Sequence, residues 1–196
     1  MYLVFDTETT GLPKKWGRPM EDIHNFPRIT QLGFMLVDID GNTIKEYQSL
    51  VKPDGWVVPK EQFFIDNNMS TERCEEHGKP IFEVLRELQD ALKQARYKVA
   101  HNMAFDKNIV GAEMIRAQIK HQLFKFKPEI CTMKETTNYV KIKTHAGGNK
   151  WPKLIELHRA FFNEDFDGAH DAMDDVRATS RCLIEAINRG IIKIDL

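Results

Sequence analysis

The sequence predicts one α/β domain in which antiparallel strands come first and helices alternate with a strand afterwards. Three observations predict it. An apolar, β-prone run opens the chain and leads straight into Asp6 and Glu8. Two more strand-like runs, 29–38 and 43–51, flank the turn residues Asp40, Gly41 and Asn42. Beyond residue 80 the apolar residues recur at helical spacing, broken by a short apolar stretch at 97–100.

Taken in order, residues 2–6 form the first strand, and residues 12–27, dense in Pro, Gly and basic residues, form a long loop. A loop of that length beside a candidate site is functional or disordered. The runs 29–38 and 43–51 complete a three-stranded antiparallel start. Residues 59–67 read as a short helix, and Ser70 or Thr71 caps another. Ile81, Val84, Leu85, Leu88, Leu92 and Ala95 make the core stripe of a long helix. A buried strand at 97–100 ends at His101 and Asn102, and a helix follows over 105–119. The stretch 120–150 is lysine-rich, with a mobile loop at 144–150 around Gly147 and Gly148. An amphipathic segment spans 151–162. After Asp167 and Gly168 a last long helix carries Ala172, Val176, Leu183 and Ile187 on its core face.

With 196 residues, 42% apolar and 29% charged, the chain suits one globular core and is short for two domains, so 1–196 reads as a single domain. No long uncharged apolar stretch suggests a membrane span, and the apolar start is too short for a signal peptide. The three scattered cysteines, Cys74, Cys131 and Cys182, read as reduced thiols of a cytoplasmic protein. A formal net charge of −1 argues against a generic nucleic-acid binder. The distribution is less even: residues 120–153 hold eight lysines against Glu129 and Glu135. That run is either a solvated face or a seat for a phosphate backbone beside an acidic site.

Chemistry concentrates in three clusters. On a strand, Asp6 and Glu8 share a face roughly 6–7 Å apart, so both reach one small object from one side. Adjacent carboxylates repel unless a cation sits between them, and their oxygens suit Mg²⁺ or Mn²⁺. The second cluster is His101, Asn102, Phe105 and Asp106, where a buried strand turns into a helix, a usual place for ligands in open sheets. Asp106 there either serves the helix dipole or faces the site. The third is His170, Asp171, Asp174 and Asp175. The dipole accounts for Asp171, and less well for Asp175, further in beside Val176. His170 and Asp175 lie about 140° apart on an ideal helix, so they converge only if His170 precedes regular helix. A histidine placed so suits a general base.

These residues carry a resemblance. Phe5-Asp6-Thr7-Glu8-Thr9-Thr10-Gly11-Leu12, then His101-Asn102 with Phe105-Asp106, then His170 five residues before Asp175, resemble the three motifs of the DEDDh exonucleases. That ribonuclease H-like family includes polymerase proofreading subunits, ribonuclease T and oligoribonuclease. The resemblance spans residues 2–187. Histidine at 170, with Asp rather than Tyr at 171, is similar to the histidine branch. Residues 67–71 depart from the His-Gly-Ile-Thr-like turn common in proofreading members.

The resemblance implies a mixed five-stranded sheet, three antiparallel strands first and parallel additions after, flanked by helices. It implies 3′–5′ exonucleolytic release of nucleoside 5′-monophosphates from single-stranded or frayed DNA or RNA. Two divalent ions, Mg²⁺ or Mn²⁺, would be held by Asp6, Glu8, Asp106 and Asp175, with His170 as general base. Leu12 would wedge against the terminal base, Phe105 would stack, and the Thr7 amide, Thr10, His101 and Asn102 would hold the 3′ end. Leu12 and Phe105 suit plain packing equally well. A non-catalytic nucleic-acid-binding module and a ribonuclease H-type endonuclease are the alternatives. DNA or RNA preference, a polymerase partner and the oligomeric state stay open.

Overall fold

The first strand places its side chains alternately on two faces, and each face meets a different core. In a computed structural model describing residues 1–167 and 171–194, β1 runs Tyr2–Thr9. Leu3 and Phe5 lie in one apolar cluster, Tyr2 and Val4 in another. This is the period-2 alternation of a strand buried on both sides. β2 (Ile29–Val37) and β3 (Thr43–Leu50) add antiparallel to one edge of β1. β4 (Tyr97–Ala100) and β5 (Glu129–Cys131) add parallel to the other. The order β3-β2-β1-β4-β5 is the expected mixed sheet.

Eight α-helices are described. α1 (Gln62–Asp66) and α2 (Thr71–His77) follow β3, and the Ser70 hydroxyl caps α2 by accepting from Arg73 N–H at 3.1 Å. Their apolar residues, with Leu50, make a small third cluster. α3 (Ile81–Gln94) and α4 (Met103–Arg116) cover the Leu3 face, joined by α5 (Gln122–Phe126). α6 (Thr132–Val140), α7 (Leu154–Phe162) and α8 (Ala172–Asn188) lie on the Tyr2 side of the sheet. β5, α5 and α6 fall in the lysine-rich stretch that reads as undivided in sequence. A three-residue strand is too short to show a period. The 144–150 loop is closed on itself, with Thr144 N–H donating to Gly148 O at 2.8 Å. The three cysteines are separate thiols. No helix among the described residues is long and apolar enough to cross a membrane.

The loop after β1 is tied down rather than loose. Buried Asn25 donates from its amide to Lys15 O at 2.9 Å and accepts from Lys15 N–H at 2.9 Å. Glu113 of α4, buried, pairs with Arg28 at 2.7 Å and Arg116 at 3.0 Å. Arg116 also donates to the carbonyls of Ile23, Phe26 and Pro27. Desolvating a carboxylate this deeply is favourable only with such partners.

One close approach matters for the site. A Cβ on Gly33 would lie 2.9 Å from the carbonyl carbon and 3.0 Å from the oxygen of Ala172. Glycine in the middle of β2 therefore lets the start of α8 rest directly on the sheet.

Candidate active site

β1 extends past residue 6, so Asp6 and Glu8 both sit on regular strand and continue the parity of Tyr2 and Val4. They face the side on which α8 lies. Across β2, Asp6 pairs with Gly33 and Glu8 with Gln31; Gly33 in turn pairs with Gln48 of β3. These partners fix the start of α8. Gln31 donates to Asp171 Oδ2 at 3.1 Å and accepts from Ala172 N–H at 3.1 Å. Gln48 donates to Asp171 Oδ1 at 2.7 Å, and the same oxygen caps the helix by accepting from Met173 N–H at 3.0 Å. α8 begins at Ala172, so Asp175 is in its first turn rather than well inside, as the sequence suggested.

The result is convergence. One carboxylate oxygen from each of Asp6, Glu8 and Asp175 lies within 4.8 Å of the other two. Asp174 turns away toward Arg177, 3.2 Å distant. Asp106, buried in the first turn of α4, accepts from Thr7 N–H at 3.1 Å and from Thr7 Oγ1 at 2.8 Å through one oxygen. Asn102 turns β4 into α4 with a left-handed backbone, φ 78°.

Electrostatics confirm that these acids share one field. Burial raises Asp6 well above the ordinary carboxylate range, and the charges of Asp106, Asp175, Glu8 and Asp171 add to it. Glu8 is pushed up to about 8 by burial, then by Asp175, Asp106 and Asp171. Asp106 rises to about 7, mainly by burial, with the Thr7 hydrogen bonds opposing and Asp175 adding. Four acids so placed cannot all ionise without positive charge between them. The donor set is entirely carboxylate oxygen, which fits a hard divalent cation.

Beside Glu8 opens a cavity of about 320 Å³ lined by Thr7, Gly11, Leu12, Phe63, Phe64 and Phe105 among others. Leu12 is 70% exposed, so core packing does not account for it. Phe105 packs partly against the core and meets the Trp16 ring at 6.2 Å.

Some expected substrate contacts are taken up by the protein itself. The Thr7 amide holds Asp106 instead of standing free for a 3′ end. Thr10 is bound to Arg28, donating from N–H to its carbonyl at 2.9 Å and accepting its N–H on Oγ1 at 3.0 Å. His101 has both ring nitrogens engaged, Nδ1 with Thr132 Oγ1 and Nε2 with Pro152 O, each at 3.0 Å. A carbonyl only accepts, so Nε2 carries the proton and Nδ1 accepts from the Thr132 hydroxyl. Burial lowers the ring to about 4, which keeps it neutral. Both ring nitrogens of His101 are therefore engaged within the protein, linking β4, α6 and residue 152. His170 lies outside the described residues.

Gly33, Gln31 and Gln48 escaped the sequence reading, in which Asp171 serves only the helix dipole. An isolated glycine inside a strand was the available signal for a close backbone approach. The two glutamines carried none, since their partner is some 120–140 residues away.

The mixed sheet, with acids at the end of β1, at the start of α4 and at the start of α8, has the architecture of the ribonuclease H-like class. The comparisons agree. The chain belongs to the exonuclease family (RNase_T), which matches residues 3–183. The PolC-type DNA polymerase III of Streptococcus thermophilus is 29% identical over 184 residues, 93% of this chain but only 11% of the polymerase. E. coli Exonuclease I in complex with a dA16 oligonucleotide superposes with a TM-score of 0.74 at 17% identity, over 96% of this chain and 41% of that one. A zinc-bound form of the same exonuclease with single-stranded DNA gives 0.72 at 17% identity, over 96% and 40%. This chain thus spans about a tenth of the PolC-type relatives and two fifths of Exonuclease I.

Proposed function

We propose that residues 1–196 form one exonuclease domain that removes nucleoside 5′-monophosphates stepwise from the 3′ end of single-stranded DNA or RNA. The carrying observation is the meeting of Asp6, Glu8 and Asp175 within 4.8 Å, with buried Asp106 in the same field. Asp6, Glu8 and Asp175 would hold one Mg²⁺ or Mn²⁺, and Asp106, with Asp6, a second. Bound there, such a pair stabilises charge on the attacking and leaving oxygens of an in-line displacement. The chain's own residues do the rest. Thr7 orients Asp106 through two hydrogen bonds. Gly33, Gln31 and Gln48 hold the start of α8, and with it Asp175. His170 takes the proton from the attacking water. The terminal base enters the cavity, with Leu12 against it, Phe105 stacking and the Asn102 amide, which makes no hydrogen bond among the described residues, reaching the 3′ end.

Digestion of matched 5′-labelled DNA and RNA oligonucleotides, with Mg²⁺ and with Mn²⁺, tests this. Stepwise shortening from the 3′ end supports it. Internal laddering would indicate an endonuclease, and metal binding without turnover would indicate a binding module. The likeness to PolC-type polymerases extends the proposal to a polymerase partner, which co-purification with a polymerase subunit checks.

A further inference from the structure

Trp151 is an anomaly of burial. Its indole is 61% exposed, although Pro152 beside it is buried. The backbone is pinned from beneath by His101, whose Nε2–H donates to Pro152 O at 3.0 Å. His101 directly follows β4, which pairs in parallel with β1, so this tether fixes residue 152 at the same end of the sheet as the acid cluster. Lys134 of α6 stands over the indole ring, 5.8 Å from its centre. Lys134 and Glu135 also line a second groove, of about 330 Å³, that reaches back to Met103, Ala104 and Lys107 at the start of α4. Glu129 in that groove is neutralised by Lys98 and Lys107, each at 2.8 Å. Lys153, exposed, follows two residues after the tryptophan.

We infer that Trp151, with Lys134 and Lys153, forms a platform for the nucleotides upstream of the scissile bond. This rests on the exonuclease reading above and adds a second substrate contact region to it. An exposed aromatic face flanked by lysines is the chemistry that holds single-stranded nucleic acid: the ring stacks on a base of any identity, and the ammonium groups meet phosphates. The lysines of 120–153 exceed the acids there by six, which supplies charge complementary to a phosphate chain. His101 is a positioning residue in this scheme, acting through Pro152.

The test compares a 12-mer with a dinucleotide, which has nothing upstream of its scissile bond's own two nucleotides. Trp151→Ala should lower kcat/KM on the 12-mer about 5- to 30-fold relative to the dinucleotide, mostly through KM, and Trp151→Phe should restore most of it. Lys134→Ala should flatten the salt dependence of KM on the 12-mer by about 0.7 in log–log slope. Equal losses on both substrates would make Trp151 a structural residue, and an unchanged preference would reserve that face for another partner; either overturns the inference. Wild-type protein inert toward both substrates would instead refute the exonuclease reading. The platform is then decided by anisotropy with a 12-mer, where Trp151→Ala should weaken Kd about 5- to 30-fold and an unchanged Kd overturns it.

Discussion

Removing divalent cations should make this protein less stable as pH rises, the reverse of ordinary acid denaturation. A carboxyl whose folded pKa is raised keeps its proton in the native state after the unfolded chain has lost it. The native state then binds more protons, so unfolding free energy falls with increasing pH. Glu8 moves from 4.5 to about 8, and Asp106 from 3.8 to about 7, with Asp6 raised beside them. The contribution is therefore complete below about pH 4 and is lost as pH climbs through 7 and 8. At about 1.4 kcal/mol per pH unit, and allowing for partial solvation of Glu8, the loss between about pH 5 and pH 8.5 is roughly 3–6 kcal/mol. In a chain of this size that lowers Tm by roughly 10 °C or more.

The assay is urea or thermal unfolding of chelator-treated protein across that range, repeated with excess Mg²⁺ or Mn²⁺. Cation binding to the native state alone should restore about 2.7 kcal/mol at a hundred times Kd, and should matter most at high pH, where the acids are ionised. Glu8→Gln should flatten the metal-free slope, which separates this cluster from every other titrating group in the chain. A metal-free stability that is level or rising between about pH 5 and pH 8.5, and that Glu8→Gln leaves unchanged, would refute the shared-field account.

Four other outcomes are expected. Asp6→Asn and Asp175→Asn should each abolish turnover in a folded protein, while Asp174→Asn, whose partner is Arg177, should cost far less; oligonucleotide digestion with circular dichroism decides it. Gly33→Ala must push the start of α8 off the sheet, so we expect about 1–3 kcal/mol of destabilisation in urea together with weaker metal affinity. Glu113→Ala takes the shared carboxylate from partly buried Arg28 and Arg116, the latter keeping its carbonyl partners, and should cost roughly 1.5–3 kcal/mol, read by unfolding. His170→Ala should lose about 10²–10⁴ in kcat while retaining metal binding by calorimetry, and should lose the rising limb of the pH–rate profile near neutrality.

The local order of the chain was legible because local patterns carry it. The apolar run of β1, the stripe of α3 and the breakers between β2 and β3 each lie within about fifteen residues. The acid pair was legible for the same reason, since Asp6 and Glu8 are two apart on a strand. Convergence with Asp175 came only through the family resemblance, because nothing in residues 170–175 specifies where that helix begins. Its start is set by Gln31 and Gln48, whose amides meet Asp171 from another part of the chain. The roles of Thr7 and His101 were hidden similarly. Family likeness assigned them to substrate, and nothing local in the sequence pointed to the buried carboxylate and buried carbonyl that their donors meet.

Sheet register connects these points. Asp6, Gly33 and Gln48 form one row across β1, β2 and β3 on one face, and Glu8 pairs with Gln31 two residues along β1. The row thus contains an acid of the cluster, the gap that admits a helix, and the amide that grips it. The next pair contains a second acid and a second gripping amide. A one-residue slip of β2 against β1 would turn Gly33 and Gln31 to the opposite face. α8 would then meet a side chain where it now meets none, and Asp175 would lose its place beside Asp6. Register is fixed by the two cores, because Leu32, Phe34 and Leu36 belong to one and Met35 and Val37 to the other. The packing that folds the protein is therefore the same constraint that brings its acids together.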